Sequence, residues 1–364
     1  MSDAPTGVLV TATKVSVPFK AELLDEVKAP RFAKRAPHLV GILSTKKEDA
    51  RNYAEFTKRA CEQVGINFEL RLVGDAREGM DGAGVSIGVE EAILEANEDD
   101  DVDGIMVYYP IYGDRQDQYL QSVVDPVKDV EGLNHQFLFN LYHNVRFISP
   151  VTLRSIPASH LPQPIKGAGA DQPPPGTVKS ILPCTPLAIV KVLESIGVYN
   201  SLLRYGDRAR GKVVTVINRS EVVGRPLAAL LANDGARVLS VDIDSVVEFS
   251  KRPSAETAKS KYNPHHITSQ IDITLEQALQ VSDVVISAVP SEAYKVPTRW
   301  LKDGCVCVNV AGEKNFEADV RERASIYVPS VGVMTICMLQ RNLLRLCQYQ
   351  DMVREHYRVA AGNY

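Results

Sequence analysis

Two rhythms of apolar and polar residues alternate through the first third of the chain. The run HLVGIL at 38–43 and the run at 104–109, which stops at Pro110, are short and nearly continuously apolar, as strands buried on both faces are. Between them, residues 48–64 place Tyr53, Phe56, Ala60 and Val64 on one side of a helix that Gly65 ends. Residues 67–73 predict a second strand and 85–97 a second helix. Strand and helix in alternation imply a mostly parallel sheet.

The pattern then breaks. Residues 155–180 hold Pro157, Pro162, Pro164, Pro173, Pro174, Pro175 and Gly176, which excludes a regular helix or a central strand, so an extended loop near a domain boundary is expected. A helix over 187–196 follows, entered through Pro183-Cys184-Thr185-Pro186. Residues 211–242 form the most informative stretch. Val213–Ile217 is a strand, Asn218-Arg219-Ser220 a polar turn, 226–232 a helix with Pro226 in its first turn, and 238–241 a second strand ending on Asp242. An acid at that strand end, roughly 20 residues past a phosphate turn, is what a dinucleotide-binding βαβ unit uses to hold the adenosine ribose. The turn keeps only Gly224 of the usual glycines, so a plain structural βαβ unit is the alternative. Residues 250–270 are polar and predict an insertion; 284–288 and 306–310 predict buried strands, and 334–347 a closing helix.

Composition narrows the class. A chain of 364 residues accommodates two domains, and a net charge of −4 without a basic stripe argues against a nucleic-acid partner. No apolar run reaches membrane-span length, so no membrane partner is expected. The six cysteines (Cys61, Cys184, Cys305, Cys307, Cys337, Cys347) are scattered without zinc spacing, and no metal is expected. Cys305 and Cys307 should point to one face of a strand. His265-His266 is expected to be solvated. The cysteines and an amino terminus without a presequence or signal pattern suggest a cytoplasmic protein, with the nucleus as a second expected location.

Six local patterns occur in order: VYYPIYG (107–113), DPVKDVEGLN (125–134), LPCTPLAIVKVL (182–193), NRSEVVGRPLAALL (218–231), SDVVISAVP (282–290) and VPSVGVMTICML (328–339). Together they resemble the methylenetetrahydrofolate dehydrogenase/cyclohydrolase family across most of the chain. The resemblance implies an α/β protein of two domains with the active site in the cleft between them. Residues 1–183 with 340–364 would form the folate domain, and 184–339 a Rossmann-type NAD domain. It also implies a homodimer and a place in one-carbon metabolism supporting purine biosynthesis, with a tetrahydrofolate derivative as substrate.

Three departures from the bifunctional family pattern fall in one pocket. The family helix carries Tyr and, four residues on, a catalytic Lys; here these positions are Tyr53 and Thr57, with Lys58 about 100° further round the helix. The glutamine of the bifunctional members is Tyr108, and the second acid of K-D-V-(D/E)-G is Glu131. Threonine cannot supply the lysine's cationic role in the cyclohydrolase step. The chain therefore resembles the family's monofunctional NAD-dependent branch, of yeast type. A bifunctional dehydrogenase/cyclohydrolase is the alternative, and a catalytically inactive folate- or NAD-sensing scaffold is an alternative of another class.

On this resemblance Tyr53 stacks on the folate ring system, or is a core aromatic; Glu131 binds the pterin and offsets cationic charge, or is a solvated loop acid. Tyr108 and Pro110 border the substrate, and Thr57 and Tyr108 shape the pocket or act in it. Cys184, at a helix start that can lower a thiol pKa, has a chemical or a packing role. On the cofactor side stand Thr185, Arg219, Ser220, Gly224, Pro226, Asp242 with Ile243, Ala288-Val289-Pro290, Val310, Gly332 and Thr335. NADP-using relatives have His-Ser where this chain has Asp242-Ile243, so the carboxylate favours NAD by repelling a 2′-phosphate. Arg219, which helps hold that phosphate in the relatives, is a mixed signal.

Overall fold

The computed structural model describes residues 6–77, 88–113, 115–156, 171–251 and 264–362. The chain builds two sheets. The first half holds β2 (His38–Leu43), β3 (Asn67–Leu72) and β4 (Gly104–Val107), all parallel in the order β3-β2-β4. Strand β2 is apolar and buried after His38 because both its faces are covered. Val40 and Ile42 pack with Ala92, Ile93 and Ala96 of α3 (Val89–Glu98), while Leu39 and Leu43 pack with Ala54 and Cys61 of α2 (Glu48–Gln63).

The second half, joined by β1 (Val8–Leu9), builds an eight-stranded sheet in the order β1-β13-β12-β11-β7-β8-β9-β10, with β9 (Ser245–Ser250) and β10 (Ile267–Ile271) at one edge. Its parallel centre is β7 (Val213–Ile217), β8 (Arg237–Asp242), β11 (Val284–Ser287), β12 (Val306–Asn309) and β13 (Ile326–Val328). The chain passes from β7 to β8 on one side and later returns to β11 on the other. The order therefore reverses at β7, and the crevice at the strands' carboxyl ends is where such sheets bind ligands.

Two helices join the halves. Helix α6 (Cys184–Ser195) is buried over most of its surface and packs along α9 (Gly332–Gly362). One continuous hydrophobic cluster runs from Leu39 and Leu43 of the first sheet, through Leu187, Leu193, Met338 and Leu343 of these helices, to Val214 and Val216 of the second sheet. The Asn342 amide donates to the carbonyls of Val130 (2.9 Å) and Leu182 (3.0 Å), tying α9 to the loops that carry the site described below. Among the described residues no helix is long and apolar enough to cross a membrane.

Several elements differ from the sequence expectation. The buried stripe of α2 is Ala54, Thr57 and Cys61, rotated from the expected Tyr53-Phe56-Ala60-Val64 face, because a threonine and a cysteine are buried there. Helix α6 begins three residues before Leu187, and α9 runs for 31 residues, far past the expected end at Cys347. The amino-terminal β1 (Val8–Leu9) pairs with β13, so this piece of the expected folate domain extends the cofactor-side sheet. Residues 252–263 of the expected insertion lie outside the described residues, as do 157–170 of the proline-rich stretch and 85–87 of the second expected helix. The flanks of the insertion are a hairpin, β9 (Ser245–Ser250) and β10 (Ile267–Ile271), antiparallel on the sheet edge. Helices α1 (Ala12–Glu26), α4 (Arg115–Val123), α5 (His135–Tyr142) and α8 (Leu275–Val281) were not anticipated. His266 is not simply solvated: its ring stacks on Phe249 with centroids 5.3 Å apart, and burial lowers its pKa to about 4. The Cys305 and Cys307 sulfurs lie 3.7 Å apart, on one face as expected.

Candidate active site

The loop 128–132 is held from three sides. The Lys128 ammonium donates to the carbonyls of Ala96 (3.0 Å), Asn97 (2.8 Å) and Asp99 (2.7 Å), filling the carboxyl end of α3, where a cation also complements the helix dipole. The Asp129 carboxylate accepts from the backbone N–H groups of Glu131 (3.1 Å), Gly132 (2.9 Å) and Asn134 (2.7 Å). Gly132 has φ 71°, and a Cβ there would sit 2.6 Å from the Leu182 carbonyl oxygen. The loop thus presses against the entry to α6, where the Cys184 N–H donates to the Glu131 carbonyl at 3.0 Å. The Glu131 carboxylate accepts from Val107 N–H at the end of β4 (2.9 Å). Burial, with the Asp129 charge nearby, pushes its pKa up to about 8; burial raises Asp129 to about 6 against its backbone donors.

Tyr53, Tyr108, Glu131 and Cys184 come together here. The Tyr53 and Tyr108 rings meet edge to face with centroids 6.1 Å apart, and Tyr53 lies within the electrostatic reach of Cys184 and Glu131. Thr57 is fully buried and its hydroxyl donates to the Tyr53 carbonyl at 2.9 Å, whereas Lys58 is exposed, as its helical offset predicts. Among the described residues the Tyr109 hydroxyl is buried without a hydrogen-bond partner, and the Tyr108 hydroxyl lies beside Thr57. The Cys184 thiol is pushed up, not down. Burial and then the Glu131 charge outweigh the first-turn amides of α6, so the thiol stays protonated and the expected activation does not occur. A cavity of about 510 Å³ opens between the halves, lined by Tyr109, Pro110 and Asp117 on one side and Glu221 and Val222 on the other. The Asp117 carboxylate shapes its wall by accepting from the N–H groups of Ile111 (3.2 Å), Tyr112 (3.0 Å) and Gly113 (3.0 Å).

The turn after β7 explains its missing glycines. Asn218 itself takes the left-handed conformation (φ 81°), its side-chain oxygen accepts from Ser220 N–H (3.0 Å), and its side-chain amide donates to the Ala288 carbonyl (2.8 Å) after β11. Asparagine therefore makes the turn and ties together two strand ends. The Ser220 hydroxyl accepts, at 3.3 Å, from the N–H groups of Val223 and Gly224, and so caps α7 (Gly224–Asn233), with Pro226 in the first turn. Gly224 permits the close approach of helix to strand: an added Cβ would lie 1.8 Å from the Asn218 carbonyl oxygen. Gly224→Ala is therefore expected to shift α7, costing about 3 kcal/mol, read as a lower thermal unfolding midpoint and weaker dinucleotide binding by calorimetry.

Arg219 is already engaged. Its guanidinium donates to the hydroxyls of Ser240 and Ser245 (both 3.1 Å) and to the carbonyls of Ser240 (2.5 Å) and Ser245 (3.1 Å). Asp242 ends β8 with its carboxylate accepting from Ile243 N–H (2.9 Å), and Ile243 is 94% exposed. Both line a cavity of about 520 Å³ whose wall also carries Asp244, Asp272 and Thr274. The two extra acids were missed in the sequence because they follow different strands, β8 and β10.

The remaining strand ends are joined by two buried asparagines that the sequence did not flag. Asn315 accepts from Ser287 Oγ (2.9 Å) and Val289 N–H (2.9 Å) and donates to the Val289 carbonyl (2.9 Å). Asn309 donates to the carbonyls of Ala311 (2.9 Å), Glu313 (2.9 Å) and Pro329 (3.3 Å). They shape the segments holding Ala288-Val289-Pro290 and Val310, and bring in the start of α9 with Gly332 and Thr335. Thr335 is buried against its own helix, its hydroxyl donating to the Val331 carbonyl at 3.4 Å. Thr185 lies in the first turn of α6, with its hydroxyl beside the Cys184 thiol.

Residues 10–131 match the tetrahydrofolate dehydrogenase/cyclohydrolase catalytic domain, and residues 183–351 match the NAD(P)-binding domain of the same family. The chain is 45% identical over 343 residues to the methylenetetrahydrofolate dehydrogenase [NAD(+)] of Schizosaccharomyces pombe, covering 94% of this chain and 93% of that protein. The solved NAD-dependent 5,10-methylenetetrahydrofolate dehydrogenase of Saccharomyces cerevisiae superposes with a TM-score of 0.79 at 42% identity, over 96% of this chain and 100% of that one. The bifunctional protein FolD of Christiangramia forsetii is 28% identical over 350 residues, covering 92% and 94% of the two chains.

Proposed function

The chain belongs to the tetrahydrofolate dehydrogenase/cyclohydrolase family, and from that premise we infer that it oxidises 5,10-methylenetetrahydrofolate to 5,10-methenyltetrahydrofolate with NAD, forming NADH. The observation that carries the cofactor choice is Asp242 at the end of β8, beside a cavity that Asp244 and Asp272 also line. A 2′-phosphate there would meet carboxylates, while Arg219 is turned away onto Ser240 and Ser245.

When bound, NAD supplies the hydride acceptor. The chain's own residues orient the substrate and stabilise the positive charge that develops as the bridging carbon between N5 and N10 loses hydride. Tyr53, edge-on to Tyr108, offers the folate ring system a flat apolar surface. Glu131, held by Val107 N–H, supplies a carboxylate to pair with pterin N–H groups and to offset the amidinium product. Cys184, protonated and enclosed, packs the pocket wall, and Thr57 and Tyr108 set its shape. Gly224, Asn218 and the α7 start seat the pyrophosphate, and the segments at 288–290, 310 and 332–335 border the ribose and nicotinamide.

The pocket supplies no cation at position 57 for attack of water on the methenyl carbon, since Thr57 is buried and neutral and Lys58 faces away. Initial rates with NAD and NADP, run beside a methenyltetrahydrofolate hydrolysis assay, test the reading. NAD-dependent turnover with hydrolysis at the buffer rate is expected; enzyme-catalysed hydrolysis would establish a bifunctional enzyme, and no NADH formation a non-catalytic scaffold. A homodimer through the cofactor-domain sheet is part of the proposal, supported by the exposed edge strand β10 and tested by sedimentation. So is action in the cytoplasm, within the one-carbon supply to purine biosynthesis; six buried free cysteines suit a reducing compartment.

A further inference from the structure

A third cavity, of about 160 Å³, lies at the far end of α7 from the phosphate turn. Asn233, the last residue of α7, lines it, so about 15 Å of helix separates it from Gly224. Both halves of the molecule build its wall. Arg146 and Lys179 come from the first half, Lys191 from α6, Arg208 from the second half, and Arg341 and Arg345 from α9.

Six cations around one small cavity are balanced only in part. Arg146 pairs with Asp234 (2.7 Å), Lys191 with Glu194 (2.7 Å) and, more loosely, Arg341 with Glu22 (3.9 Å), and Asp171 also lines the cavity. Arg208 Nε is buried without a hydrogen-bond partner, and Arg345 forms no hydrogen bond or ion pair among the described residues. Burial pushes the Arg345 guanidinium below its ordinary pKa. Burial, and the charges of Arg345 and Arg341, do the same to the Lys179 ammonium, although Asp171 opposes the effect. The ring of Tyr205 lies among three of the cations, with Arg146, Arg208 and Lys179 at 4.7, 5.7 and 5.8 Å from its centroid. A guanidinium nitrogen buried without a partner, as at Arg208, is costly, and none of these residues serves the hydride transfer.

We propose that this cavity is an anion-binding site, separate from the cofactor cleft, that takes a compact ligand with two or three linked phosphoryl groups. At about 160 Å³ the cavity is too small for a dinucleotide. Guanidinium forks converging from several sides suit tetrahedral phosphoryl oxygens. Because its wall is drawn from both halves and from both connecting helices, the bound anion clamps the two domains together.

The probe is inorganic tripolyphosphate, added to the full-length protein saturated with NAD so that the cofactor cleft is occupied. A saturable rise in unfolding temperature of about 3 °C at a hundredfold excess over Kd is expected, with a much smaller response to tri-γ-glutamate or to sodium chloride of equal ionic strength. Arg345→Met should weaken tripolyphosphate binding at least tenfold, measured calorimetrically, while leaving the NADH-forming rate unchanged. In the ligand-free protein the same variant should unfold at an equal or higher temperature, since it removes a half-buried cation that repels Arg341 and Lys179; a purely structural arginine would give a lower one. Arg208→Gln should weaken binding without that gain. Absence of a saturable response in the wild-type protein, binding unaffected by both variants, or stronger binding of tri-γ-glutamate would each overturn the proposal.

Discussion

Asp242→Ser is expected to move the ratio of kcat/KM for NAD over NADP about 100-fold toward NADP. Two like charges about 4 Å apart near a protein surface repel by roughly 4 kcal/mol before screening, and salt and water reduce this to the two or three kcal/mol that 100-fold represents. The substitution acts twice. It removes the charge at the end of β8, and it places a hydroxyl within reach of a 2′-phosphate. Arg219 stays bound to Ser240, which is fully buried, and to Ser245, so the gain rests on the change at position 242. Reversal should be incomplete, because Asp244 and Asp272 still line the cavity. Combining Asp242→Ser with Asp272→Asn should therefore carry the preference further. Initial rates with both cofactors measure this directly, and an unchanged ratio would remove Asp242 from the ribose site.

Glu131→Gln is expected to lower kcat about 100-fold, the scale on which loss of one oriented electrostatic partner acts in an enclosed site. The amide can still accept from Val107 N–H, so the loop should keep its shape while losing the charge that offsets the amidinium. With the wild-type carboxyl raised to about 8, kcat/KM should climb with pH toward a plateau with a midpoint near 8, and the variant should lack that limb. Stability should respond in the opposite sense. The carboxyl is protonated in the folded protein up to about pH 8 but only up to about 4.5 when unfolded. The folded state thus binds the extra proton between those values, and stability falls as pH rises through the window. Asp129, raised to about 6, adds the same sign over a narrower range. The variant should therefore be less active yet lose less stability between pH 5 and 8, a split that chemical denaturation at several pH values reads. Equal losses of activity and stability would indicate a merely structural Glu131.

Strands β2, β7 and β11 were legible in the sequence nearly to the residue, because each is apolar on both faces and no competing period fits. Helix α2 was legible in extent but not in orientation. Counting apolar residues chose Tyr53 and Phe56, whereas the face that packs inward carries Thr57, whose hydroxyl satisfies itself on the Tyr53 carbonyl and so can be buried. Helices α1, α4 and α5 escaped notice because polar residues interrupt their apolar faces. Asn309 and Asn315 gave no signal at all, since a buried asparagine is recognisable only by the carbonyls and amides that surround it.

By itself, then, the sequence determined the family, the βαβ unit ending on Asp242, and the absence of a lysine at position 57. These are local facts of residue type and spacing, and no folding is needed to read them. The tertiary structure decided protonation and partnership. Cys184 stands at a helix start, which alone would favour a thiolate, but burial beside Glu131 reverses the sign. Arg219 is in a phosphate turn but is bound to Ser240 and Ser245, more than twenty positions on. Six cations scattered from Arg146 to Arg345 become one cavity only when α6 and α9 bring the halves together. Charge and desolvation act through space at a few ångströms, and only the fold sets those distances.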